Sequence, residues 1–186
     1  YDAALFYADL SHANSTIIDH IPFDHFALCT LHRAENTDDP IRLKGFVDSL
    51  NKLHESLPIV CPLHPRTKKK LADFDLNLSV HLIDPVGYFD MVELLKKSQL
   101  VITDSGGLQK EAFFFNSPCI TMRDQTEWVE LVENGFNVLA KPNLESMVNA
   151  FKTMTSAELK FQMDLYGDGK AAKSIVEHLK SALNPA

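Results

Sequence analysis

Several things are scarce in this sequence, and each scarcity removes a class of protein. Cysteine occurs three times in 186 residues, as Cys29, Cys61 and Cys119. The number is odd, each lies in a short apolar run, and no two are spaced like metal ligands. They read as buried free thiols of a cytoplasmic protein, not as a disulfide frame or a metal site. Basic residues are also scarce: 18 Lys and Arg stand against 25 Asp and Glu, for a formal charge of −7. A general nucleic-acid binder needs a basic face, so that class is set aside, whereas a small anion needs only local donors. No apolar run approaches a membrane span, and the N-terminus lacks a charged region followed by an apolar targeting core. The chain opens at Tyr1 without a methionine and reads as a piece of something longer.

The composition, 45% hydrophobic and 23% charged, is that of a soluble globular chain long enough for one well-buried domain. From Phe26 onward, short β-type runs alternate with helical patterns, the signature of a parallel sheet covered by helices. Strands are expected at His25 to Leu31, Pro58 to Leu63, Ser79 to Asp84, Gln99 to Thr103, Pro118 to Arg123 and Asn137 to Ala140. Their near-continuous apolar character fits strands buried on both faces. Helical spacing fills the gaps, with segments beginning at Pro40, Thr67, Tyr88, Gly107 and Thr126. The predicted fold class is therefore α/β, a single Rossmann-like, doubly wound parallel sheet of about six strands flanked by helices. Residues 1–20 and 143–186 read as helical flanks, the latter as Leu144 to Met154, Ser156 to Tyr166 and Lys170 to Leu183. An α/β domain that begins and ends on helices looks like one half of a two-domain parent.

In an open parallel sheet, ligands bind beyond the carboxyl ends of the strands. Polar clusters fall there in register: "HRAEN" after the first predicted strand, "HPRT" after the second, "DPVGY" after the third, "DSGG" after the fourth and "RDQTE" after the fifth. The fourth, Asp104 to Gly107, has three readings. A protease-like serine nucleophile needs a hydrogen-bonded base and belongs to a different scaffold, so it fits poorly. A phosphate cradle uses the unpaired amides and positive dipole end of a helix, with Gly106 and Gly107 leaving room and Ser105 adding a hydroxyl. Glu111, one turn on, would then meet ribose hydroxyls. The third reading is a plain cap by Asp104 or Ser105 with Glu111 solvated, and the four residues alone do not separate it from the cradle. His32 and Arg33 offer a titratable group and a fixed cation, or only a solvated loop. On that second view Asn36, Asp38 and Asp39 serve to start the next helix at Pro40. Thr126 is a plausible cap for the helix after Arg123.

Taken together, "LHRAENTDDP", "PLHPRT", "VITDSGGLQKEA", "TMRDQTEWVELVENGFNVL" and "LYGDGKAAKSIVEHL" resemble the UDP-N-acetylglucosamine 2-epimerase family, in that family's order and over nearly the whole chain. The resemblance implies the C-terminal half of a GT-B-like enzyme with two Rossmann-like domains, its N-terminal domain absent from this sequence. It implies cofactor-free interconversion of UDP-GlcNAc and UDP-ManNAc through 2-acetamidoglucal, with no metal, in a parent that is commonly a homodimer. By that similarity Ser105, Gly106 and Gly107 hold the diphosphate, Glu111 the ribose, and Tyr88, Met91 and Arg123 belong to the UDP site. His32 assists UDP departure, and Arg33 and His64 match positions of a second, activating UDP-GlcNAc. The C2 and C3 acid/base carboxylates lie in the missing half, so this chain alone is expected to bind UDP weakly and not to epimerise. "HPRT" and "RDQTEWVELVE" look closer to members acting on the 2,3-diacetamido-glucuronate analogue. Two other functions share part of the pattern, a GT-B glycosyltransferase donor domain and a non-catalytic nucleotide sensor.

Overall fold

A computed structural model describes residues 1–161 and 165–183. The elements run α1 (Asp2–Asn14), a 3-10 turn (Ile17–His20), β1 (Ala27–Thr30), α2 (Ala34–Thr37), α3 (Pro40–His54), β2 (Ile59–Pro62), α4 (Pro65–Asp73), β3 (His81–Ile83), α5 (Tyr88–Lys97) and β4 (Leu100–Thr103). They continue with α6 (Gly106–Phe114), β5 (Cys119–Thr121), α7 (Val129–Glu133), β6 (Asn137–Leu139), α8 (Leu144–Ser156) and α9 (Ala171–Leu183). All six strands pair in parallel in the order β3-β2-β1-β4-β5-β6.

Alternation along the strands splits the core in two. Ala27, Cys29, Cys61 and Ile102 face a cluster completed by Leu43, Phe46 and Leu50 of α3 and by Met147 and Met154 of α8. Leu28, Val60, Val101 and Cys119 face the opposite way, against Leu94 and Leu95 of α5 and Leu108 and Ala112 of α6. The interior strands β1, β2, β4 and β5 are buried throughout, while the edge strands β3 and β6 are only partly so. This is why their sequences are the least continuously apolar. The three cysteines are buried and free.

Helix starts are written locally. Asp39 accepts from the amides of Ile41 and Arg42 ahead of α3, Asn143 accepts from Ser146 ahead of α8, and Pro40 and Pro65 occupy the first turns of α3 and α4. α6 stops at Asn116, whose φ of 59° closes the helix in the left-handed region that Asn tolerates.

The structure corrects two expectations about the helices. The helix expected over Ser156 to Tyr166 is absent in its described part: α8 ends at Ser156, and residues 157–161 are not helical. Residues 162–164, and 184–186 of the expected C-terminal flank, lie outside the described residues. Leu159, Phe161, Leu165 and Tyr166 instead pack as non-helical chain on an aromatic cluster, with Phe161 and Tyr166 against Phe113. Finally, α7 begins at Val129 rather than Thr126, with Trp128 at the N-cap position. The Thr126 hydroxyl accepts from the Trp128 amide at 3.2 Å but donates to Gln109 of α6 at 2.6 Å, so its main tie is between helices.

Candidate functional site

The strand order reverses between β1 and β4, which makes their carboxyl ends the switch point where a ligand crevice forms in this class of sheet. β1 delivers His32 and Arg33 there, and β4 delivers Asp104 to Gly107. The two strands are in register up to Thr30 and Thr103, whose buried hydroxyls meet at 2.6 Å.

Asp104 proves to be the centre of this junction. It is fully buried and does not cap α6. Its Oδ2 accepts from the backbone amides of His32 at 3.0 Å and Arg33 at 2.8 Å and from the Asn36 side chain at 3.3 Å. Its Oδ1 lies 3.4 Å from Nδ1 of His32, whose ring is 40% exposed. Asn36 also corrects an expectation. It is fully buried inside the short helix α2, donates to the Met122 carbonyl at 2.8 Å and accepts from Arg42 at 3.2 Å, while Asp39 alone caps α3. Arg42 in turn donates to Asp124 at 3.0 Å, so a continuous polar chain runs from His32 beneath the strand ends to the loop after β5.

Ser105 is the N-cap of α6 but makes no side-chain cap bond. The first amides of a helix have no acceptor within it, so those of Gly106 and Gly107 depend on a partner from elsewhere. A Cβ placed on Gly107 would meet no atom within 4 Å, whereas one on Gly106 would run into the Glu127 carboxylate. The two glycines therefore serve different ends. Gly107 keeps an approach to the helix end clear, and Gly106 lets Glu127 lie against the turn. Glu127 is bound by Arg123 Nη1 at 2.7 Å. Its own backbone amide, and then Arg123 and Arg33, hold it below the usual carboxylate range, against the effect of burial. Trp128 donates from Nε1 to the Gly106 carbonyl at 2.8 Å, tying α7 to the same turn.

Glu111 lies one turn along α6. Burial pushes its carboxyl above the usual range, and a 3.1 Å bond from the Tyr88 hydroxyl offsets part of that rise. Tyr88 is 42% exposed overall, but its hydroxyl end sits against Glu111. Partial burial and the charge of Glu111 push that phenol up to about 12.

The predicted site residues thus converge at the strand ends, with two qualifications. Met91 is partly buried and packs on the core cluster formed with α5 and α6. His64 is the N-cap of α4, its Nδ1 accepting from the Arg66 amide at 3.1 Å, while its ring lies 5.8 Å from that of His32. Nη1 of Arg33 and Nε of Arg123 are buried without a hydrogen-bond partner among the described residues. At Arg123 a cavity of about 260 Å³ is lined by Glu35, Arg42, Arg123, Asp124 and Gln125. A larger concavity of about 570 Å³ lies elsewhere, between α3 and the start of α8. Sequence reasoning missed Asp104, Asn36, Arg42 and Glu127 as site-building residues. Among the described residues, no cluster of three His, Cys, Asp or Glu side chains is placed to hold a metal, and no helix is long and apolar enough to cross a membrane.

A parallel sheet of this order, with an uncapped glycine turn and a half-buried carboxylate one helical turn further on, defines a Rossmann-like domain with an open helix start at its switch point. The model of the UDP-N-acetylglucosamine 2-epimerase family matches residues 1–180, and the chain belongs to that family. It is 49% identical, over 179 residues, to a UDP-2,3-diacetamido-2,3-dideoxy-D-glucuronate 2-epimerase of Pseudomonas aeruginosa, covering 96% of this chain and 50% of that protein. To a UDP-N-acetylglucosamine 2-epimerase of Methanocaldococcus jannaschii it is 40% identical over 174 residues, covering 89% of this chain and 46% of that one. The crystal structure of the M. jannaschii enzyme in complex with UDP-GlcNAc and UDP superposes with a TM-score of 0.86 at 37% identity, over 96% of this chain and 52% of that one. The chain spans about half the length of the curated relatives it matches.

Proposed function

We propose that this chain is the C-terminal, UDP-binding half of a UDP-sugar 2-epimerase. The observation that carries the reading is the pairing, on α6, of an open helix start at Gly106 and Gly107 with the Glu111 carboxylate one turn away, at the switch point of a family member's sheet. In this reading the amides of Gly106 and Gly107 and the Ser105 hydroxyl bind the diphosphate, Glu111 accepts from ribose hydroxyls, and Tyr88 and Met91 border the base. Arg123, with a buried donor left over, adds positive charge beside the turn. His32 gives a proton to the departing UDP oxygen as the C1–O bond breaks and its electron pair passes to that oxygen. The base that takes the C2 proton comes from the part of the relatives' length this chain does not span, so the chain binds UDP without turning over. Arg33 and His64 form one side of an activator site. A cytoplasmic homodimer that binds no nucleic acid is part of the same proposal; three buried free thiols support the compartment and a charge of −7 the lack of nucleic-acid binding.

The sugar is a 2,3-diacetamido-glucuronate or N-acetylglucosamine. The 49% identity to the glucuronate enzyme, against 40% to the N-acetylglucosamine enzyme, favours the former.

Calorimetric titration with UDP tests the site. Wild-type chain binds, Ser105→Ala weakens binding several-fold, and Glu111→Ala weakens it about tenfold or more, the loss expected when hydrogen bonds to a charged group are removed. Because the Glu111 carboxyl titrates above the usual range, UDP affinity falls on acidification at a higher pH than an ordinary glutamate would give, and Glu111→Gln removes that limb. Wild-type affinity equal to that of Glu111→Ala would sink the assignment.

A further inference from the structure

Asp104 is a buried carboxylate without a lysine or arginine partner. It has no exposed surface, and among the described residues His32 is the one basic side chain within ion-pair distance. A carboxylate so placed persists only if its lone pairs are filled by donors. The two oxygens divide that work. Oδ2 is saturated by the His32 and Arg33 amides and the Asn36 side chain. Oδ1 has a long second bond to the His32 amide at 3.2 Å and otherwise faces Nδ1 of the imidazole. A carboxylate accepts and an unprotonated ring nitrogen repels it, so the 3.4 Å approach favours the ring form that carries its proton on Nδ1.

We propose that Asp104 is a positioning residue for His32: it fixes the ring tautomer and orientation so that Nε2 alone gives and takes the proton at the ligand. Nδ1 faces the buried Asp104 carboxylate, and the His32 side chain as a whole is 40% exposed. The residue after Asp104 is Ser105, so one carboxylate joins the start of the glycine turn to the histidine on the neighbouring strand. The loops of β1 and β4, 72 residues apart, are thereby held in a single geometry. The catalytic part of this inference rests on the role given to His32 under Proposed function. The tautomer itself does not, and the two fail separately.

The test is the ring-nitrogen NMR spectrum of His32 in the 15N-labelled chain, at a pH where the imidazole is neutral. In the wild type, a single tautomer protonated at Nδ1 is expected. In Asp104→Asn the three donors at Oδ2 capture the amide oxygen, which turns the NH2 group toward Nδ1. That nitrogen must then accept, and the tautomer reverses to Nε2–H. If Asp104 only braces the backbone, the variant leaves the tautomer unchanged, and that result overturns the proposal. So does a wild-type ring protonated at Nε2 or divided between the two forms. The wild-type spectrum decides even if the variant fails to fold. Failure of UDP to bind would remove the role of His32 while leaving the tautomer result standing.

Discussion

At the ends of β1 and β4 a carboxylate with no exposed surface is held by two backbone amides, an asparagine and a histidine. On α9, by contrast, Ile175, Val176, Leu179 and Leu183 are 59%, 48%, 53% and 79% exposed, and no residue of the helix is buried. Among the described ties, α9 meets the rest of the chain through the Ala172 amide bonded to Asp2 at 2.9 Å. The polar region is the one built into the interior, and the apolar stripe is the one exposed on this chain, which spans about half the length of its relatives. Residue type alone would have placed them the other way round. What decides is the topology, because the switch point brings two strand ends together over a shared backbone and α9 follows after the sheet is complete.

The contrast can be broken by mutation. Asp104→Ala leaves the His32 and Arg33 amides and Asn36 without their acceptor, and a loss of about 3 kcal/mol in denaturant-derived stability is expected for buried donors left unpaired. A loss within the error of the measurement would show that water replaces the carboxylate. Thr30→Val keeps the shape but removes one member of the buried Thr30–Thr103 hydroxyl pair, with about 1 kcal/mol expected. An unchanged urea midpoint would mean that the pair does not tie the strands. On the other side, Ile175→Ala and Leu179→Ala should each stay within about 0.5 kcal/mol, as exposed positions do. A shift of several degrees in the melting temperature of either would show that α9 has a buried partner in solution.

The sheet was legible because burial on both faces leaves a direct trace. The continuous apolar runs around Leu28, Val60, Val101 and Ile120 mark the four interior strands, and the weaker edge strands were still found between turn signals. The helix expected over Ser156 to Tyr166 failed because Phe161 and Leu165, four apart, and Leu159 and Tyr166, seven apart, carry helical spacing, yet Phe161 and Tyr166 pack as irregular chain on the Phe113 and Phe136 rings. The placement of Gly106, Gly107 and Glu111 on one helix after β4 was legible through their spacing. Asp104 and Asn36 were not, since their partners lie 68 to 86 residues away and neither residue type at the end of a strand distinguishes a cap from a buried acceptor. Glu127 was missed for a related reason. Its place against Gly106 depends on where α7 comes to rest, and the Trp128 bond to the Gly106 carbonyl that sets this has no periodic signature.

The 72 residues between His32 and Asp104 have a kinetic meaning as well. Closing a loop of that length costs chain entropy that no local contact repays, so the junction exists only in molecules whose β1 and β4 have already found each other. A ligand that touches both loops acts as a fastener across that closure. At a hundredfold excess over its dissociation constant it adds about 2.7 kcal/mol to the folded state, delivered at the seam where the two halves of the sheet join.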